Sequence, residues 1–451
     1  MTRHLFLKDG WIVKETTAAP VNILVAGEKI VAVGPDVEPE TDAEIVNASG
    51  LLVLPGLVDA HVHLREPGGE HKEDLMSGTR AALAGGITTV LAMPNTSPPV
   101  IDANSLANVM ALAGSKAVCD FGFFLGATPD NAAQAARLTD AVGLKMYMGS
   151  STGPLLVDDF GGQYAHFKAY PPERPIAVHA EDEAAMRWFA RQGQRRPPLC
   201  ATLDTARALA LAEHLGRRLH ICHLSTTQEL ELVHAARSRG VRVTCEVAPH
   251  HLFLTSDAEW RLGPRAKMNP PLRSRADRQA LWDHLAWIDA IASDHAPHTP
   301  EEKQVGMTDA PAGVPGLETT LPLLLNAVGE GQLLLSDVVR LTSRGPAAIF
   351  GLARKGRIAP GFDGDLVLVD FEARWTITAE KLWTKCGWTP FAGWHVKGRV
   401  ERVYLRGRLA YADGEVLVEP GYGRAVEIAR HANASPALSP TSTTEENTTE
   451  R

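Results

Sequence analysis

No stretch of this 451-residue sequence reaches 18 consecutive apolar residues, so nothing in it reads as a membrane-spanning helix. Residues 1–10 also lack the apolar core of a signal peptide. Cysteine is sparse. The five present, Cys119, Cys200, Cys222, Cys245 and Cys386, are odd in number and scattered, which argues against a disulfide framework and for a reducing compartment; a cytoplasmic location is the expectation. An excess of positive charge is missing too. With 45 Lys and Arg against 53 Asp and Glu, the net charge of −8 offers no field for a phosphate backbone, so no nucleic-acid partner is expected. What remains, 45% hydrophobic and 22% charged residues, is the composition of a soluble globular enzyme. The length allows a full barrel and a smaller second unit.

The chemistry gathers at the ends of short apolar runs. Residues 51–58 (LLVLPGLV) read as a buried strand, and Asp59-Ala60-His61-Val62-His63-Leu64-Arg65 follows directly. In an extended strand, residues two apart point to one side, so His61 and His63 can converge on one cation, with Arg65 beside them as an anion-binding group. Four later runs behave alike. Lys145 sits inside residues 142–148, His179 ends 176–179, His223 ends 219–223, and Asp294 with His295 and His298 ends 290–294. Donors at the ends of β-type segments, separated by stretches long enough for a helix, are the sequence form of an α/β protein with a (β/α)₈ TIM-type barrel. Eight strands are expected, at 56–62, 86–93, 118–125, 142–148, 175–180, 218–224, 241–247 and 287–294. Gly85-Gly86 should end a helix running through Ser77 to Ala84.

The termini read differently. Residues 1–54 and 355–425 carry short alternating strands, with Asp9-Gly10 and Asp413-Gly414 expected as hairpin turns. They are expected to build one small β-sandwich domain around a barrel of residues 55–354. Residues 432–451, rich in Ser, Thr, Pro and Glu, should be a disordered tail.

Four histidines and an aspartate are too many donors for a single tetrahedral ion but suit two neighbouring ones. Two cations need a shared anion. Lys145, held in apolar surroundings, can react with carbon dioxide as a neutral amine and bridge them as a carbamate. A water held between two such ions would ionise near neutrality, and Asp294 could take its proton and pass it to a leaving nitrogen. Zinc is the first choice for this donor set. Cys222 and Glu246 could hold an additional ion or be a buried thiol and an orienting carboxylate; His220 and His295, one step off phase, should face the barrel wall.

Several motifs together carry a resemblance: His61 to Gly68, Ala92-Met93-Pro94-Asn95-Thr96, Gly143-Leu144-Lys145-Met146-Tyr147, Val178-His179-Ala180-Glu181, Met268-Asn269-Pro270-Pro271-Leu272-Arg273, Ser293-Asp294-His295-Ala296-Pro297-His298 and Pro315-Gly316-Leu317-Glu318-Thr319. On these the chain resembles the amidohydrolase superfamily and, within it, the class I dihydroorotases of pyrimidine biosynthesis. Its Lys145 is similar to the lysine of the dihydroorotase domain in the animal multifunctional protein, where many bacterial members have aspartate. The resemblance implies reversible cyclisation of N-carbamoyl-L-aspartate to L-dihydroorotate, with two zinc ions bridged by carboxylated Lys145. It implies His61, His63 and Asp294 on one metal and His179 and His223 on the other. It gives the substrate carboxylate to Arg65, Asn95 and His298, with Asn269 and the backbone at Pro315-Gly316 completing the pocket, and the loop 149–153 closing over it. It is compatible with a homodimer or a complex with aspartate transcarbamoylase. Two rivals share much of this pattern. An allantoinase or hydantoinase would keep the metal ligands but have no use for Arg65, and a non-catalytic dihydroorotase-like subunit would have lost the ligands.

Overall fold

Short runs of β-branched and aliphatic residues, each followed by a capped helix, set the architecture. In the computed structural model, which describes residues 4–14 and 17–429, the expected strands appear as Leu57–Val62, Ile87–Ala92, Asp120–Phe123 continued by Leu125–Gly126, Leu144–Tyr147, Pro175–His179, Arg218–Ile221, Val243–Val247 and Ala290–Ile291. All pair in parallel, in one arc of three strands and another of six. Backbone bonds run between the arcs on both sides: Val142 N–H donates to Phe123 O at 2.9 Å, and His63 N–H to His295 O at 2.8 Å. Side chains on or directly beside seven of these strands, including Val58, Leu91, Phe124, Val142, Ala177, Cys222 and Ala290, meet in one apolar cluster. Strands buried on both faces explain why they read as continuous apolar runs and not as alternations.

The helices between them start where short polar side chains can satisfy free N–H groups. Asp74 with Ser77 opens Leu75–Ala84, Asp102 with Ser105 opens Ala103–Lys116, and Thr226 with Glu229 opens Thr227–Ser238, each as a capping box. The first of these ends at Gly85 as expected, and Gly86 turns the chain at φ +81° into the next strand.

Strands from both termini hydrogen-bond into a single nine-stranded sheet. Its centre is the antiparallel pairing of Leu366–Val369 with Leu52–Pro55, which joins the two ends of the chain. Val25 and Tyr404 lie on strands separated by three others yet belong to one apolar cluster, and Ile30 N–H donates to Phe362 O at 2.9 Å. One expectation fails here. Asp9-Gly10 is not a hairpin turn but a β-bulge within the continuous strand His4–Lys14, with Asp9 at φ +58° and its N–H donating to Asn22 Oδ1. Glycine follows because a Cβ at position 10 would lie 2.6 Å from Val53 Cγ2. Asp413-Gly414 does form the hairpin, between Arg408–Ala412 and Glu415–Val416. The expected tail at 432–451 lies outside the described residues. Among those described, no helix is long and apolar enough to cross a membrane.

Candidate metal centre and substrate pocket

His61 and His63 leave the first strand on the same side, and the Nε2 atoms of both lie 3.4 Å from Asp294 Oδ1. Around a tetrahedral ion with bonds of roughly 2.0–2.1 Å, neighbouring donors stand about 3.3 Å apart, so this spacing fits a metal. His179 Nδ1 and His223 Nε2 form a second pair at 3.1 Å. The two pairs are contiguous, because the His61 and His223 rings are 5.2 Å apart. Lys145 is fully buried, with Cys222 Sγ at 3.0 Å as its hydrogen-bond partner and no carboxylate within ion-pairing distance among the described residues. Its charge disfavours protonation of His61, His179 and His223, as expected of an amine set between the two pairs. His223 Nδ1 is buried without a partner. The structure therefore gathers His61, His63, Lys145, His179, His223 and Asp294 into one cluster, in which His61, His63 and Asp294 are close enough together to hold a metal ion.

Three of the four imidazoles are aimed by a group behind them, His223 being the exception. Glu246 Oε1 lies 2.5 Å from His61 Nδ1, Asn95 Oδ1 lies 2.7 Å from His63 Nδ1, and Glu181 Oε2 lies 3.1 Å from His179 Nε2. These bonds take up one ring nitrogen and leave the other for a metal. Burial holds His63 down at about 4 and pushes His179 and His223 down as well, so all three present lone pairs at neutral pH. His61 differs. Burial and Lys145 oppose its protonation, but Glu246 and Asp294 outweigh them and raise it to about 10, making it the most basic of the four. Burial also works against ionised Asp294, but His61 and His63 prevail and keep it a carboxylate.

Backbone strain collects here too. Of seven non-glycine residues with positive φ among those described, Arg65, Arg196, His223 and Asp294 belong to this region. Each costs about 1–3 kcal/mol and persists only where its surroundings fix it. For Asp294 that fixing is visible: the preceding Ser293 N–H donates to Asp59 at 3.1 and 3.2 Å.

Next to the metal cluster lies a cavity lined by His63, Arg65, Asn95, Asn269 and Asp294, with Ser151 and Thr152 from the 149–153 loop and the backbone of Ala312-Gly313. Arg65 donates through Nε to Pro297 O at 3.1 Å, and its Nη2 lies 3.1 Å from His298 Nε2. Burial lowers the guanidinium only to about 10, so it remains a cation. Pro315 and Gly316 are placed elsewhere. They line a neighbouring cavity with His295, Leu317 and Thr384, and Gly316 N–H donates to His295 Nδ1 at 3.2 Å. His220, expected at the wall, stands two hydrogen bonds behind His61, with Nε2 3.1 Å from Glu246 Oε2. Glu246, His61 and Cys222 also form a close donor group, but both oxygens of Glu246 are already engaged by His61 and His220.

The profile of the amidohydrolase family matches residues 52–157 and 167–410. The chain belongs to the amidohydrolase family. It is 44% identical over 401 residues to the multifunctional protein CAD of Squalus acanthias, covering 88% of this chain but only 17% of that much longer protein. It is 38% identical over 396 residues to the dihydroorotase of Pyrococcus furiosus, covering 87% of this chain and 90% of that enzyme. Among solved structures, the L-hydantoinase of Arthrobacter aurescens superposes with a TM-score of 0.89 at 31% identity, covering 94% of this chain and 100% of that one.

Sequence reading of this amidohydrolase gave no role to Glu181, Arg196 or Arg273. Arg196 donates to Glu181 and to Ser150 O, while Arg273 donates to Arg196 O at 2.6 Å and stands 3.7 Å from Glu181 Oε1. Glu181 and Arg273 lay within recognised motifs, but Arg196 sits in a polar connection with no local signal. Replacing Glu181 with Gln is expected to weaken metal binding by about 10- to 100-fold, because the carboxylate that orients His179 is lost. Competition against a chromogenic chelator measures this, and an unchanged affinity would remove Glu181 from that role.

Proposed function

We propose that this amidohydrolase is a dihydroorotase, reversibly closing N-carbamoyl-L-aspartate into L-dihydroorotate and water. The observation that carries the reading is the buried Arg65, beside His298 and with Asn95 and Asn269, in the cavity that also contains His63 and Asp294. A guanidinium there is the planar, permanently charged donor that a substrate carboxylate requires. The dihydroorotase of Pyrococcus furiosus, matched over nearly its whole length, supports the same substrate.

Two zinc ions would suit the six clustered donors: His61, His63 and Asp294 would hold one, His179 and His223 the other, and Lys145, carboxylated, would serve both. When bound they supply Lewis acidity toward the ring carbonyl and the attacking water. Arg65, Asn95 and His298 hold the carboxylate, with Asn269 on the cavity wall, and so fix which ring bond faces the metal centre. In hydrolysis water adds to the ring carbonyl carbon and gives a proton to Asp294, which passes it to the departing nitrogen as the amide C–N bond breaks; in synthesis Asp294 takes the proton from the attacking nitrogen and returns it to the departing hydroxyl, releasing water. Glu246 and Glu181 keep the imidazoles aimed throughout.

The two arcs of strands are assigned here to one closed (β/α)₈ barrel of residues 55–354. Residues 1–54 and 355–425 are assigned to a small β-sandwich. A cytoplasmic enzyme, acting as a homodimer or beside aspartate transcarbamoylase, suits this substrate.

A second reading follows from the likeness to the L-hydantoinase: a cyclic amidase for neutral rings, with the same metals. Steady-state assay of the zinc-loaded protein on L-dihydroorotate, allantoin and a simple hydantoin separates the two. Turnover of dihydroorotate that a chelator removes and added zinc restores is the expected result. Turnover of a neutral ring alone would overturn the substrate, and no turnover with metal bound would favour a supporting subunit.

A further inference from the structure

His298 is fully buried and has two neighbours at each ring nitrogen. Nε2 lies 3.1 Å from Arg65 Nη2 and 3.0 Å from Ala312 O. Nδ1 lies 3.2 Å from Lys72 Nζ and 3.3 Å from Glu302 Oε2. Burial, then the cations Arg65, Lys72 and Lys303, hold its basicity far below the usual range. The ring is therefore neutral and its choice is between tautomers, since a neutral imidazole carries one proton. With that proton on Nδ1, His298 donates to Glu302 and its Nε2 accepts from Arg65. With the proton on Nε2, His298 donates to Ala312 O and Nδ1 accepts from Lys72, and an acceptor placed between Nε2 and Arg65 Nη2 would take a bond from both.

A carboxylate is such an acceptor. For His298 to donate to it from Nε2, Nδ1 must become the acceptor, and Lys72 Nζ is the donor within reach. Lys72 is fixed in turn by Glu302 Oε1 at 2.9 Å, which also faces His71 Nε2 at 3.4 Å. Resting on the dihydroorotase reading, we infer that Lys72, held by Glu302, is a positioning residue that sets the His298 tautomer and makes the pocket selective for substrates bearing a carboxylate. Lys72 and Glu302 touch no reacting atom in this scheme and act through His298 alone. An ammonium suits the task because it donates and never accepts, so it stabilises only the tautomer whose Nδ1 is bare.

The test pairs kinetics with a direct observation of the ring. In Lys72→Met, KM for L-dihydroorotate should rise about tenfold or more, the effect of losing one hydrogen bond from a charged donor, while kcat changes less than about threefold. Lys72→Arg should recover most of the loss. In ¹⁵N-histidine-labelled, zinc-loaded protein, with the His298 signals assigned by their absence in His298→Asn, the ring proton should lie on Nε2 in the orotate-bound parent. Lys72→Met with orotate should carry a substantial share of it on Nδ1, facing Glu302. A KM within twofold of the parent, a fall in kcat at constant KM, or the same His298 tautomer in orotate-bound parent and Lys72→Met would each overturn the inference. A parent protein that does not turn over L-dihydroorotate would instead overturn the substrate reading, and the orotate measurement would then still decide whether Lys72 sets the tautomer.

Discussion

Lys145→Met is expected to lower kcat/KM for L-dihydroorotate on the order of 10⁴-fold and to reduce bound metal from two ions to one or fewer. Lys145 is buried among His61, His179 and His223 with a thiol as its hydrogen-bond partner and no carboxylate in ion-pair range among the described residues. A polar group so placed is unfavourable in the metal-free protein. It becomes favourable if the nitrogen carries a carboxylate group and lies between two dications. Methionine keeps the length and apolar stem, so the fold between Leu144 and Met146 has no reason to fail. The two effects should therefore separate. Metal analysis and turnover should collapse, while thermal unfolding of the metal-free variant should match or exceed that of the metal-free parent. Metal loading of the parent should also depend on bicarbonate, which the variant ignores. Two ions retained by Lys145→Met, or loading indifferent to bicarbonate, would exclude the bridge.

Much of this site was legible because its donors sit at strand ends. The two-residue spacing of His61 and His63 fixes their side of the strand before any fold is known. His179 and His223 were singled out by the same logic at the ends of apolar runs, and Lys145 as a lysine inside one. Residues that act through others carried no such mark. Glu246 is the exception, since its strand beside the site marked it as an orienting carboxylate or a ligand of a further ion, and the fold sets it between His61 and His220. Arg196 reaches Glu181 by leaving a polar loop at φ +44°, and long arginines in loops are ordinarily solvated. Pro315-Gly316 belonged to a recognised motif, but a motif gives sequence adjacency and not which wall a backbone faces; His295 draws it into the neighbouring cavity. The Asp9-Gly10 error has a similar source. That dipeptide satisfies a hairpin and a bulge equally well locally, and the choice is made by strand Thr17–Ala26, which pairs on both sides of it.

Arg65→Met should shift substrate preference more than any other single change away from the metals. The carboxylate of L-dihydroorotate would be left in a buried pocket facing a thioether. Truncating one partner of a buried, hydrogen-bonded charge pair costs about 2–5 kcal/mol, so kcat/KM for dihydroorotate should fall on the order of 10³-fold. Most of the loss should appear in KM, because the carboxylate is held in ground and transition states alike. Arg65→Lys should fall between the two, since an ammonium keeps the charge but loses the planar fork. Hydantoin and allantoin present no carboxylate, so their turnover, however small in the parent, should not decline. Arg65 also lowers the basicity of His63 through its charge, so metal content must be shown equal in parent and variant before rates are compared. An unaltered kcat/KM for dihydroorotate at full metal occupancy would take Arg65 out of the pocket. A 10³-fold loss confined to the charged substrate would mean that this centre selects its ring by the carboxylate beside the scissile bond, because the metal-binding residues are those a neutral-ring amidase would also need.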